Sequence, residues 1–307
     1  MSKPVGLLLE DRGVLRVAGA DAVAFLQGLV SNDVRKTEQG GAIYAALLTP
    51  QGRYLHDMMI AGEPGSGALL IETERARLAD LKRRLTLYKL RAKVTIEEMG
   101  GGMAVAAIWP GGSLAALGLP EQAGATQSWQ GGIAYVDPRL AALGARAILP
   151  LASAAAALAS AGLAQGTLGD YERLRIGLGV PAGGRDLVVE KSILLENGFD
   201  ELNGVDWQKG CYVGQELTAR TKYRGLVKKR LLPVAISGTL PAPGSAVLLD
   251  GAEVGEMMSG VAEGANGLGL ALLRLDAVRR AESGAELRAG DARLKPMRPD
   301  WMDVQEE

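Results

Sequence analysis

One thiol and the charges around it are the most reactive grouping in the chain. Cys211 is the single cysteine, set in Lys209-Gly210-Cys211-Tyr212-Val213-Gly214-Gln215-Glu216. From Lys209 to Arg230 the cations are Lys209, Arg220, Lys222, Arg224, Lys228, Lys229 and Arg230, against one acid, Glu216. Positive charge beside a thiol favours the thiolate, the form that attacks electrophiles and binds metals. Gly210 and Gly214 permit a sharp bend that would present Cys211 and Tyr212 on a constrained turn. The bland alternative is a buried thiol, because free cysteine is among the most buried residue types; the flanking glycines and cations favour the functional one. Tyr212 and Trp207 stand open between two readings, stacking on a flat heterocycle or packing in a core. His56, the single histidine, has no nucleophile near it in sequence and reads as a core or surface histidine rather than a base. One Cys and one His do not make a conventional zinc site, and one Cys cannot hold a four-thiolate cluster, so any cluster needs ligands from a partner or a second copy.

The stretch Lys-Gly-Cys-Tyr-x-Gly-Gln-Glu, followed by Ala219-Arg220 and Arg224-Gly225, resembles the signature of the YgfZ family. Those are folate-binding proteins related to the glycine-cleavage aminomethyltransferase, or T-protein, and linked to iron–sulfur enzyme maintenance. The resemblance implies an α+β, aminomethyltransferase-like fold with two mixed α+β units and a C-terminal β-barrel. It implies Cys211 as the functional thiol, and Lys209, Gly210, Tyr212, Gly214, Gln215, Glu216, Arg220 and Arg224 as the residues around a reduced folate, tetrahydrofolate or a relative of it. Folates end in carboxylates, which Lys and Arg bind well. Implied partners are iron–sulfur assembly factors or client enzymes. One departure stands in the segment Leu174 to Pro181: T-proteins carry Arg-Leu-Glu-Ala-Gly there, with a pterin-binding glutamate, and this chain has Gly177 at the corresponding place. Glu190 or Glu196 would be the nearest substitutes. The loss argues against the rival reading, an aminomethyltransferase that passes a one-carbon unit to tetrahydrofolate, which needs a carboxylate at the reacting nitrogen.

The elements that must position these residues follow from periodicity. At 307 residues, with 48% hydrophobic and 22% charged, the chain is long enough for two or three packed domains. Its 42 glycines suit a strand-rich protein with many turns. Strands are expected at 6–9, 14–17, 42–48, 53–60, 68–71, 91–98, 103–109, 131–137 and 146–149, and helices within 19–30, after Thr73 as N-cap, over 152–161 and after Asp170 as cap. Residues 110–127 read as a loop with at most a short helix. After Arg230 short apolar runs at 231–236, 246–249, 253–258, 268–273 and 285–289 indicate a small barrel or sandwich, of which the resemblance implies the barrel, with 298–307 as a polar tail. The expected division is therefore 1–228 and 229–307.

The formal net charge of −1 gives no global attraction to nucleic acid or membrane. Arg75, Arg77, Lys82, Arg83 and Arg84 read as the solvated face of an amphipathic helix, without interleaved aromatics for stacking bases. The longest apolar region, 149–163, is too short to span a bilayer. With no apolar leader at Met1-Ser2-Lys3-Pro4, the expected location is the cytoplasm.

Overall fold

The first two apolar runs do become strands, but the turn between them leads from one sheet to another rather than closing a hairpin. Val5–Leu8 lies between Ala164–Gln165 and Met103–Trp109 in a six-stranded sheet that continues through Ala145–Pro150, Gly132–Val136 and Thr126–Trp129. Arg12–Ala18 lies between Leu69–Glu74 and Thr95–Glu98 in a five-stranded sheet that continues through Tyr54–Gly62 to Ala42–Leu48. The computed structural model describes residues 3–109 and 112–302. The expected loop at 110–127 and tail at 298–307 therefore lie partly outside the described residues.

Every residue of Ala42–Leu48 is buried, and nearly all of Tyr54–Gly62. Strands covered on both faces carry apolar runs without alternation, which is why these segments read so clearly in the sequence. The helix Leu78–Lys89 buries Leu78, Leu81 and Leu85 at helical spacing. The alanine-rich helix Ala154–Ser160 presses Ala154, Ala157 and Leu158 onto Ala104, Ala106, Ala147 and their neighbours. Small side chains on both sides let helix and sheet approach closely.

The C-terminal strands close into a barrel in the order Lys229–Ser237, Asn266–Arg274, Ala252–Glu263, Ala246–Leu249, Leu287–Ala289 and Ala292–Pro296. Its core holds Leu232, Val234, Met257, Leu273 and Leu287. The fold class is thus α+β, with two sheets and their helices followed by a six-stranded barrel.

Several local expectations differ from the structure. Thr73 caps no helix: it is buried in its strand, and its hydroxyl donates to the Asp57 carbonyl at 2.8 Å. A 3₁₀ turn, Arg75–Arg77, starts the helix instead. Asp170 sits inside the first turn of Leu168–Gly177 rather than ahead of it. The helix Gln215–Tyr223 begins within the signature, and Leu275–Glu282 interrupts the barrel strands.

The chain forms two compact units, one of Met1–Pro50, Leu55–Leu168 and Leu202–Gln215, the other of Gln51–Tyr54, Gly169–Glu201 and Glu216–Glu307. Long-range packing, invisible to a composition change at Arg230, brings 169–201 into the second unit. Ile176 packs with Leu231, Met258 and Leu270. Arg175, 1% exposed, donates to Asp186 at 2.7 Å and to the Ser259 hydroxyl at 2.9 Å.

Candidate functional site

The loop that carries Cys211 belongs to the first unit and is stitched to the end of the helix Ala22–Gln27. A helix leaves its last carbonyls without intrahelical partners. Here Lys209 serves that region: its ammonium donates to the Gln27 carbonyl at 2.7 Å and to the Val30 carbonyl. In return the Gln27 side chain donates to the Lys209 carbonyl at 3.3 Å and accepts from the Val34 N–H at 2.8 Å. Val213 N–H donates to the Gly28 carbonyl at 3.2 Å. Lys209 is 6% exposed, and burial is the first cause that lowers its pKa to about 8; Asp33 and Asp206 pull it the other way.

The segment just before the loop is held by the polar residues that follow the helix Ala22–Gln27. Buried Ser31 donates to the Gly204 carbonyl at 2.5 Å, and its own carbonyl accepts from Asp206 N–H at 3.0 Å. Asn32 donates to the carbonyls of Tyr44 and Asn203 at 2.8 and 2.7 Å. Lys36 pairs with Asp206 at 2.8 Å. Short polar residues directly after an apolar helix were the available signal, since such residues inside a core need partners.

On this frame Cys211 stands exposed. Gly210 and Gly214 have φ of +89° and +80°, the left-handed region that glycine enters without steric cost. A Cβ on Gly210 would meet nothing within 4 Å, so backbone conformation rather than space calls for glycine there. Tyr212 lays its ring 5.0 Å from the Lys209 ammonium. Its N–H donates to the Gln215 side chain at 3.1 Å, bracing the turn into the helix Gln215–Tyr223. Trp207 is half-buried.

The structure gathers Lys209, Gly210, Cys211, Tyr212, Gly214 and Gln215 into one loop. It does not leave all the cations free for a ligand. Lys209 serves backbone carbonyls, and in the second unit Lys222 pairs with Asp200 at 2.8 Å, while buried Arg230 pairs with Glu201 and donates to the Leu195 carbonyl at 2.6 Å. Glu216, Arg220 and Arg224, also of the second unit, are exposed; the first two share one face of the helix and Arg224 follows its last residue, Tyr223. His56 is 1% exposed; its Nε2 lies 2.9 Å from Asp80, and burial, then the charge of Arg77, lowers its pKa to about 4. Among the described residues no three of His, Cys, Asp or Glu converge to hold a metal ion.

The missing T-protein glutamate needs a corrected position. Matching Arg173, Leu174 and Gly177 to Arg-Leu-Glu-Ala-Gly puts Arg175, not Gly177, in the carboxylate's place. Arg175 is buried between Glu172 and Asp186. Burial pushes the carboxyl of Glu196, one suggested substitute, upward.

Comparison with known proteins bears on this loop and on the barrel. Residues 228–304 match the family described as CAF17, C-terminal beta-barrel domain. A Homo sapiens protein named iron-sulfur cluster assembly factor IBA57, mitochondrial, is 35% identical, the alignment covering 95% of this chain and 84% of that protein. The chain belongs to the IBA57 family. Another member, the IBA57 homolog of Mycosarcoma maydis, is 33% identical over 88% of this chain and 73% of its own. The crystal structure of the glycine cleavage system aminomethyltransferase T from Bartonella henselae has a TM-score of 0.75 at 15% identity, covering 98% of this chain and 87% of that one. It shares the fold. The cytoplasmic expectation is corrected by the relatives, whose names are mitochondrial. Mitochondrial transit segments are amphipathic rather than apolar, so an apolar run was the wrong signal for location.

Proposed function

We propose that this chain acts in iron–sulfur cluster assembly in the manner implied by the YgfZ resemblance, with Cys211 as its working thiol and a tetrahydrofolate-type reduced folate as its ligand. The carrying observation is that the chain's single cysteine is exposed between two glycines at positive φ, on a loop pinned by a buried lysine. A thiolate is a soft ligand suited to iron–sulfur chemistry. One thiolate is not a complete ligand set, so an assembly partner or client enzyme supplies the others. Lys209, Gly210, Gly214 and Gln215 shape the loop, and Tyr212 offers a flat ring to a heterocycle. The folate half rests on the signature and on an aminomethyltransferase-like fold.

The test is complementation. In a host lacking this gene, the wild-type chain restores an iron–sulfur-dependent enzyme and Cys211→Ser, equally stable, does not; full rescue by the serine variant would refute the thiol role. Calorimetry with tetrahydrofolate gives saturable heat if the ligand is right, and none at saturating concentration if it is wrong. Arg175 at the carboxylate position weighs against aminomethyl transfer, and turnover in a coupled glycine-cleavage assay would reverse that judgement.

A further inference from the structure

Residues of the second unit enclose a hollow of about 740 Å³, a size typical of small-molecule sites. Leu195, Val227 and Leu275 supply apolar wall. The charged lining is unbalanced: Lys222, Lys228, Lys229, Arg230, Arg274 and Arg279 face Asp200, Glu201 and Asp276, six cations against three acids. Each acid already has a cation. Asp200 pairs with Lys222 at 2.8 Å, Glu201 with Arg230, and Asp276 with Arg274 at 2.7 Å. That leaves the charges of Lys228, Lys229 and Arg279 without an acid among the described lining residues. Glu196, outside the lining, also acts on Lys229; burial raises its carboxyl above the ordinary range, and Lys229 and Arg53 pull it back down.

Two further features make this more than surface charge. The Lys228 carbonyl accepts from Leu275 N–H at 3.0 Å, tying the segment of the two lysines to the start of the helix Leu275–Glu282 that carries Arg279. Arg230, 6% exposed, uses its terminal nitrogens on Leu195 and Glu201, whereas its buried Nε–H has no acceptor. Arg230 is thus a fixed part of the wall, its charge already matched by Glu201.

We propose that this hollow binds a small polyanion, a molecule with two or more phosphate or carboxylate groups. Lys228, Lys229 and Arg279 hold its charges. The site uses none of the residues of the Cys211 loop. It goes beyond the assembly role proposed above and does not depend on it.

Titration calorimetry of the full chain at low salt, with inorganic tripolyphosphate and separately with citrate, tests the assignment. One of the two is expected to bind saturably, identifying phosphate or carboxylate as the recognised group. Affinity should fall at least about tenfold in the combined Lys228→Ala, Lys229→Ala, Arg279→Ala variant, and should weaken steeply as salt rises. These side chains are exposed, so unliganded thermal unfolding should be unchanged. Arg279→Gln alone, expected to weaken binding about threefold, gives the same readout should the combined variant fold poorly. Arg91→Ala, an exposed cation of the first unit, should bind as wild type. No saturable binding of either anion, undiminished binding in the variants, or an equal loss in Arg91→Ala overturns the proposal.

Discussion

The ammonium of Lys209 is desolvated yet charged at neutral pH, and its hydrogen bonds to the Gln27 and Val30 carbonyls close the end of a helix. Lys209→Met keeps the length of the stem and removes the donor, leaving buried carbonyls unmatched. Urea unfolding should show a loss of about 1–3 kcal/mol. Cys211→Ser, by contrast, alters an exposed atom and should stay within about 0.5 kcal/mol of wild type in the same assay. Gly210→Ala falls between them, since strain at φ +89° without any clash should cost about 1 kcal/mol. This order separates residues that hold the loop from the one residue the loop presents.

Strands of the first unit are joined by a buried ionic network. Glu72, on Leu69–Glu74, accepts from Arg12 at 2.8 Å, from Arg146 at 2.5 Å and from the Tyr135 hydroxyl at 2.5 Å. Arg146 also reaches Asp137 at 3.1 Å, and Arg139 pairs with Asp137 at 2.8 Å. Arg12 and Glu72 come from strands of one sheet and Tyr135 and Arg146 from strands of the other, with Asp137 and Arg139 in the connection after Gly132–Val136, so the network fixes the registration of the sheets within the unit. Burial opposes the charge of Glu72, but Arg146 and Arg12 together hold its carboxyl below the ordinary range. Glu72→Ala would take from Arg12 its carboxylate and leave Arg146 to Asp137, and should cost about 3–5 kcal/mol in denaturant unfolding. In sequence these were polar positions in otherwise apolar strands, and nothing local marks which distant partner each one finds.

At the scale of the whole molecule, the same groups set the response to acid. His56, with its pKa lowered from 6.5 to about 4, is neutral in the fold but takes up a proton when unfolded below pH 6.5. Its contribution is therefore present above that pH and lost as pH falls toward 4. Asp137, lowered from 3.8 to about 2 by Arg139 and Arg146 against its burial, contributes above pH 3.8 and loses its contribution as pH falls toward 2. Glu72 acts in the same direction. Unfolding midpoints should decline in two stages on acidification, and His56→Gln should flatten the upper stage while leaving the lower one; a midpoint constant from pH 7 to 4 would contradict this account.

Sequence by itself determined what local chemistry governs: runs such as Ala42–Leu48 and Met103–Trp109 that must be strands, the short strands after Arg230, and a signature whose glycines take positive φ. Tertiary structure alone decided which cations are free. Lys209 and Lys228 look equivalent along the chain. One finds carbonyls 182 and 179 residues away, and the other lines an open hollow. The separation of Val5–Leu8 from Arg12–Ala18 into different sheets, and the joining of residues 169–201 to the barrel's unit, have the same cause. Hydrophobic periodicity reports which face of an element is covered, but the partner is chosen by packing and buried polar pairing between segments far apart in sequence.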